Sequence, residues 1–158
     1  MPHRLRPEEL GFVTTAPVRL VFAARIAAPP ERVFGALAED VPGWPDWFPG
    51  VRSARPLDGG ARREVRLTGG GRFQETVLAA QASELYAYRV DVTNAPGLRA
   101  LVEEWRLTSA GTGTEVRWTF AADGTPALRA ALRLARPGLA RAFRGAAAGL
   151  DRRVGTAP

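Results

Sequence analysis

Two glutamates stand within apolar alternations, at positions where acid/base chemistry could occur. Glu75 lies two residues from both Phe73 and Val77, and Glu103 lies two residues before Trp105. Because side chains two residues apart on a strand share a face, both carboxyl groups are predicted to point towards an apolar side. A carboxyl group there is ion-paired, hydrogen-bonded, or protonated with a raised pKa, and the last state suits a general acid or base. Glu103 and Glu75 are therefore the candidate catalytic residues.

Other interpretations of these glutamates stay open. Arg63 or Arg66, on the preceding segment, could form a structural ion pair with one of them. A β-bulge would instead turn either carboxylate outward. The phenols of Tyr86 and Tyr88 lie in line with the apolar face and could orient a ligand carbonyl or simply fill the core. Together with Asp46, they complete the short set of candidate proton donors and acceptors.

The composition removes most other catalytic chemistries. Of the 158 residues none is cysteine, one is histidine (His3), and all 22 basic residues are arginine. This excludes thiolate nucleophiles, iron–sulfur clusters, Ser–His–Asp triads and multi-histidine metal sites. It also excludes Schiff-base lysines and the lysine of phosphate-binding loops. We expect neither a cofactor nor a bound metal.

The hydropathy pattern predicts a strand, two short helices, six further strands and a long C-terminal helix. Alternation marks the first strand, 18–26, and the prolines at 29–30 can begin the helix that follows. A proline-rich aromatic corner then leaves room for one short helix at 46–48. Six strand-like segments separated by turns follow, at 51–57, 62–68, 72–80, 85–93, 99–108 and 114–121. The predicted class is α+β, a helix-grip fold in which a curved seven-stranded antiparallel sheet wraps around the C-terminal helix.

The formal net charge of +6 lies entirely in the C-terminal segment. Residues 1–125 contain 15 arginines and 15 acidic residues, whereas residues 126–158 contain seven arginines and one acid. On a helix, one face of this segment is apolar, and a kink or break is expected at Pro137-Gly138. The other face carries Arg129, Arg133, Arg136, Arg141 and Arg144. This basic face is either solvated or docks an acidic carrier protein or an anionic membrane, and no motif favours nucleic acid.

The sequence resembles the START-like, or Bet v 1-like, superfamily (SRPBCC), and within it the bacterial polyketide cyclase/dehydrase and lipid-transport group. The resemblance is carried by VFAARIAAPPERVFGALAEDV (21–41), WPDWFPGV (44–51), EEWRL (103–107) and GTEVRWTF (113–120). It implies a pocket between the sheet and the C-terminal helix, and families on this fold differ in activity.

The residues predicted to bind a ligand in this pocket are mostly aromatic. They are Trp44, Trp47, Phe48, Phe73, Val77, Tyr86, Tyr88, Val90, Trp105, Leu107, Trp118, Phe120, Leu132 and Phe143. A large aromatic surface suits a flat or lipidic ligand, although the same residues could fill a solid core. We expect a carrier, sensor or sequestering protein for a hydrophobic or aromatic small molecule. The alternatives are a polyketide cyclase/dehydrase using Glu103 or Glu75, and a module that docks through its basic helix.

The N-terminal segment has no hydropathy period. Residues 1–16 are predicted to form a flexible leader before a single ligand-binding domain at 17–155. The segment lacks the apolar core of a signal peptide, and no apolar run in the chain reaches the length of a membrane span. These features predict a cytoplasmic protein.

Overall fold

A computed structural model describes residues 1–155 and contains one antiparallel sheet of eight strands. The strands are β1 (His3–Arg4), β2 (Val18–Ile26), β3 (Val51–Leu57), β4 (Arg62–Leu67), β5 (Arg72–Gln81), β6 (Leu85–Thr93), β7 (Leu98–Ala110) and β8 (Gly113–Gly124). Their order is β2-β8-β7-β6-β5-β4-β3, and β1 pairs with β6. The seven predicted strands are therefore confirmed, with β1 added to them.

The helices follow the predicted order except for α1, which lies in the segment predicted to be a leader. They are α1 (Phe12–Thr15), α2 (Pro30–Phe34), α3 (Pro126–Leu134) and α4 (Arg136–Val154). A π-helical turn at Gly35–Glu39 and a 3-10 helix at Val41–Asp46 follow α2. The 3-10 helix therefore lies before the short helix predicted at 46–48 and shares only residue 46 with it. The C-terminal helix breaks at Ala135 because Pro137, in the first turn of α4, cannot continue the hydrogen bonding of α3. Within residues 1–155 no helix has the length and apolar character needed to span a membrane.

Residues 1–16 are bound to the sheet, in contrast to the flexible leader that their composition predicts. Strand β1 pairs with β6 beyond the point where β6 and β7 separate. The amide of Leu5 donates to the carbonyl of Asp91 on β6, at 2.9 Å. The next amide, of Arg6, donates to Arg99 on β7, at 2.8 Å. The segment is held there because the diverging strands leave backbone groups that need hydrogen-bond partners.

Helix α4 crosses the inner face of the sheet on a layer of aromatic rings. The rings of Trp105 and Trp118 stack with their centroids 5.5 Å apart. Phe143 of α4 stacks on Trp118 at 5.9 Å, and Phe143 and Leu150 are both fully buried. Burial of these rings is the main apolar contribution that joins sheet and helix.

The aromatic corner, residues 44–51, lies against α4 at Gly149. A Cβ atom at this position would lie 2.3 Å from the carbonyl oxygen of Trp47. That backbone is held in place by the ring of Trp47, which is buried and lies 4.6 Å from the ring of Trp44. Only glycine permits the helix to approach so closely.

We expect Gly149→Ala to lower the free energy of unfolding by about 1–3 kcal/mol, because the added methyl group pushes α4 away from Trp47. The control is Gly138→Ala in the same helix, where the added Cβ meets no atom within 4 Å. This variant is expected to raise the free energy of unfolding by about 0.5–1 kcal/mol, since alanine favours the helix. Urea denaturation measures both, and the same effect from both variants would contradict the close approach.

Candidate ligand-binding site

A cavity of about 310 Å³ lies between the inner face of the sheet and the two C-terminal helices. Six strands, β3 to β8, contribute to its wall, and the aromatic corner, α3 and the start of α4 complete it. Most of the wall is apolar. Apart from the two tryptophans, its polar side chains are Arg63, Glu75, Tyr88 and Glu103. The sheet and the helices thus border a partly open hollow of the size and composition typical of small-molecule sites.

Many of the residues predicted from the sequence to form the site line this cavity. They are Trp44, Phe48, Phe73, Glu75, Tyr88, Glu103, Trp118, Phe120 and Leu132. Others pack into the core without lining it, namely Trp47, Val77, Tyr86, Val90, Trp105, Leu107 and Phe143. Trp105 illustrates the difference, because the rings of Trp47 at 6.0 Å and Phe143 at 6.1 Å cover it.

Several lining residues were not predicted as ligand contacts. On β4, Arg63, Val65 and Leu67 line the cavity, and their spacing of two was the available signal. Leu128 and Leu139 also line the cavity. Both belong to the predicted apolar face of the C-terminal helix, from which only Leu132 and Phe143 were predicted to contact the ligand. The remaining lining residues missed were Pro49, Gly50, Val51, Ala95, Leu98 and Leu101.

A buried ion pair lies at the polar part of the wall. Arg63 and Glu75 are directly opposite each other on β4 and β5, and the guanidinium Nε donates to the carboxylate. Both residues are almost fully buried, at 2% and 3% exposure. Burial raises the pKa of Glu75, and the guanidinium opposes this rise. Because arginine keeps its proton in proteins, we treat the pair as ionic.

Aromatic rings cover the guanidinium of Arg63. Its central carbon lies 3.8 Å from the ring centroid of Tyr88 and 4.3 Å from that of Trp44. Ring faces attract a cation, and they also stand between this one and solvent. Within the described residues, the buried Nη1 of Arg63 has no hydrogen-bond partner, so both N–H donors of this nitrogen are unused.

Glu103 belongs to a hydrogen-bonded chain of aromatic side chains. Its Oε1 accepts from the indole N–H of Trp118 at 3.0 Å and from the hydroxyl of Tyr88 at 3.3 Å. The hydroxyl of Tyr88 in turn accepts from the indole N–H of Trp105 at 3.1 Å. Tyr88 and Glu103 meet because they are directly paired across β6 and β7. The strand register therefore orients one carboxyl oxygen and leaves the other without a hydrogen-bond partner among residues 1–155.

The environment of Glu103 favours its protonated form. Glu103 lines the cavity and is only partly accessible, and this accessible surface faces an apolar hollow. Burial, reinforced by the negative charge of Glu75, raises the pKa of Glu103 from 4.5 to about 7. The nearby Arg63 and the two hydrogen bonds act in the opposite direction. A carboxyl group with this pKa can both donate and accept a proton near neutral pH.

Helix α3 covers part of the cavity with a narrow contact. Leu128 and Leu132 line the cavity but stay partly accessible, and no residue of α3 is fully buried. Its arginines bind the protein itself. Arg129 pairs with Asp123 at 3.1 Å, while Arg133 donates to the carbonyl of Pro17 at 3.0 Å. These polar contacts hold α3 against the ends of the sheet.

The remaining arginines of the predicted basic face differ from one another. Arg136 lies over the ring of Phe22 at 5.1 Å and donates to the carbonyl of Val21 at 3.4 Å. Arg141 and Arg144 are exposed and make no hydrogen bond or ion pair with residues 1–155. Part of the predicted basic face therefore binds the C-terminal helices to the rest of the protein.

Known proteins resemble this chain in fold or in sequence. A solved structure of XoxI from Bacillus cereus aligns with a TM-score of 0.71 at 16% identity, over 87% of this chain and 95% of that one. A START superfamily protein from Mycobacterium smegmatis aligns with a TM-score of 0.67 at 12% identity, over 86% and 96%. An uncharacterized protein of Mycobacterium tuberculosis is 29% identical over 85% of this chain and 83% of its own length.

The family model described as polyketide cyclase/dehydrase and lipid transport matches residues 17–155. This range includes strands β2 to β8, α2 to α4 and every residue of the cavity wall. The chain belongs to the polyketide cyclase/dehydrase and lipid-transport family.

Proposed function

We propose that this protein binds a hydrophobic or aromatic small molecule in the cavity, as a carrier, sensor or sequestering protein. The observation that carries the proposal is the partly open hollow itself, about 310 Å³ in volume and apolar except for one polar cluster. An apolar wall of this kind favours a ligand through burial of its nonpolar surface, and the polar groups orient it. The membership of the family agrees with this type of ligand.

The ligand enters, on this proposal, beside α3. The helical side of the wall consists of three leucines, Leu128, Leu132 and Leu139. They are only partly buried against the core. A helix without a fully buried residue costs little to displace. We expect its polar contacts to Asp123 and Pro17 to break during entry.

A second candidate function is catalysis of the cyclase/dehydrase type, and the environment of Glu103 favours it. A carboxyl group with a pKa of about 7 is suited to take a proton from an activated carbon and return it to a leaving hydroxyl group. The cavity would hold a poly-β-keto chain folded for aldol closure, so that proximity supplies much of the rate. Glu75 is the weaker candidate for this role because Arg63 occupies it.

Docking of an acidic carrier protein or an anionic membrane stays a hypothesis. Arg129 is ion-paired with Asp123, whereas Arg133 and Arg136 donate to backbone carbonyls and stay exposed, as do Arg141 and Arg144. Four exposed cations on this face give a salt-sensitive attraction.

A cavity-filling substitution tests the proposed binding. Leu132→Trp replaces a leucine of the cavity wall with a larger, aromatic side chain. We expect it to weaken binding of the neutral probe N-phenyl-1-naphthylamine by roughly tenfold or more. The matched control is Leu134→Trp on the same helix, because Leu134 is 83% exposed and does not line the cavity. Fluorescence titration measures both. Equal affinity for the two variants, or no binding to the native protein, would refute the proposal.

The two candidate functions differ in what Glu103→Gln does. A binding protein returns a synthetic poly-β-ketone unchanged, whereas a cyclase converts it to an aromatic product detected by absorbance. In the second case we expect Glu103→Gln to lower the rate by roughly a hundredfold or more and to leave binding of the probe intact. The control Glu104→Gln alters the neighbouring carboxylate, which pairs with Arg106 outside the cavity, and should retain turnover.

Glu103 is also expected to make stability depend on pH. Its pKa is raised in the folded protein, so the folded state binds the proton more tightly than the unfolded state between pH 4.5 and about 7. The free energy of unfolding therefore falls as pH rises through this window and levels off above it, by at most about 3 kcal/mol. Glu103→Gln removes this component. The difference between native and variant proteins in urea denaturation at several pH values measures it, and a flat difference would contradict the raised pKa.

A further inference from the structure

We propose that the cavity selects neutral amphipathic molecules with a hydroxyl or carbonyl oxygen, such as alcohols and phenols, and rejects carboxylates of the same size. This inference rests on the proposed binding function and specifies the class of ligand. It follows from the charges on the wall, from the access to each charge, and from the hydrogen bonds that are already made.

The charges on the wall do not favour an anion. One cation, Arg63, and two carboxyl groups, Glu75 and Glu103, line the cavity. The cation is neutralised by the hydrogen-bonded carboxylate of Glu75. When Glu103 is ionised, the three groups together carry one negative charge. A ligand carboxylate would add a second negative charge to an apolar enclosure, where like charges repel strongly.

Access to Arg63 is also restricted. The rings of Tyr88 and Trp44 cover the guanidinium, and only 2% of the residue is exposed. The usual recognition of a carboxylate is a paired set of hydrogen bonds to two guanidinium nitrogens. Here Nε is engaged by Glu75, and Nη1 is buried without a hydrogen-bond partner in the described chain. The guanidinium therefore cannot present two nitrogens to a ligand carboxylate.

Glu103 supplies the complementary group. It is the more accessible of the two carboxyl groups in the wall, and its Oε1 is held by Trp118 and Tyr88 while Oε2 makes no hydrogen bond within residues 1–155. In its ionised form it accepts from a hydroxyl, and in its protonated form it donates to a carbonyl. Both partners are neutral. The polar cluster can therefore satisfy one neutral oxygen, while the rest of the wall covers an apolar body.

The test compares decanol with decanoate, which share a chain length and differ in the charge of the head group. Titration at about pH 8.5 keeps decanoate and Glu103 ionised. Quenching of Trp44 and Trp118, which line the cavity, reports binding. We expect the native protein to bind decanol roughly tenfold more tightly than decanoate, or better.

Variants of the wall charges sharpen the comparison. Glu75→Gln brings the wall to zero net charge at this pH and frees Nε of Arg63, so we expect it to narrow the preference for decanol by severalfold or more. Glu103→Gln removes the second negative charge and should narrow the native preference by severalfold. Glu104→Gln, outside the cavity, should keep the native preference.

The outcomes separate the inference from the proposed function. Equal or tighter binding of decanoate to the native protein overturns the selection of neutral ligands, even if both molecules bind. Should Glu75→Gln fail to fold by circular dichroism, Glu103→Gln decides, and an unchanged preference in that variant overturns the inference. If neither molecule binds and N-phenyl-1-naphthylamine also fails to bind, the proposed function itself is refuted.

Discussion

The polar part of the cavity depends on one buried ion pair. The guanidinium of Arg63 keeps its proton. Its burial therefore requires a counter-charge and protein groups that replace the water molecules around it. Glu75 supplies the charge from the adjacent strand, and the faces of Tyr88 and Trp44 supply the remaining contacts. These needs place aromatic side chains from two separate elements, the 3-10 helix and β6, around one point. The pairing of β6 with β7 brings Tyr88 to Glu103, and burial beside the negative charge of Glu75 raises the pKa of that carboxyl group.

The hollow exists because the two C-terminal helices pack differently. Helix α4 makes close contact with the sheet through Phe143 and Leu150, and Gly149 lets its backbone meet Trp47. Helix α3 has only partly buried leucines and is fastened mainly by arginine contacts at its edge. The break at Ala135 separates the two modes. One helix thus provides stability through tight packing, while the other closes a space that side chains do not fill.

Both carboxylates that alternation placed on the inner face are found there, but their two environments could not be told apart beforehand. A β-bulge on either strand would turn the carboxylate outward. The structure has register shifts on β5 on either side of Glu75, at Gln74/Glu75 and between Val77 and Ala79. Both shifts fall outside 75–77, so Glu75 and Val77 share a face, on which Glu75 lines the cavity and Val77 packs against the core. The alternation predicts the face but not which of its positions meets the cavity.

Local patterning determined the element order, the curved antiparallel sheet, the break before Pro137 and the inward direction of Glu75 and Glu103. These properties depend on side chains two or four residues apart and on proline, so they are readable from the chain. The docking of residues 1–16 was decided by strands that diverge more than 80 residues away. Likewise, tertiary packing determined that Trp105 is covered while Trp118 faces a hollow, and that three arginines of the basic face bind this chain. Burial and pairing arise from distant segments meeting in space, and no local spacing carries that information.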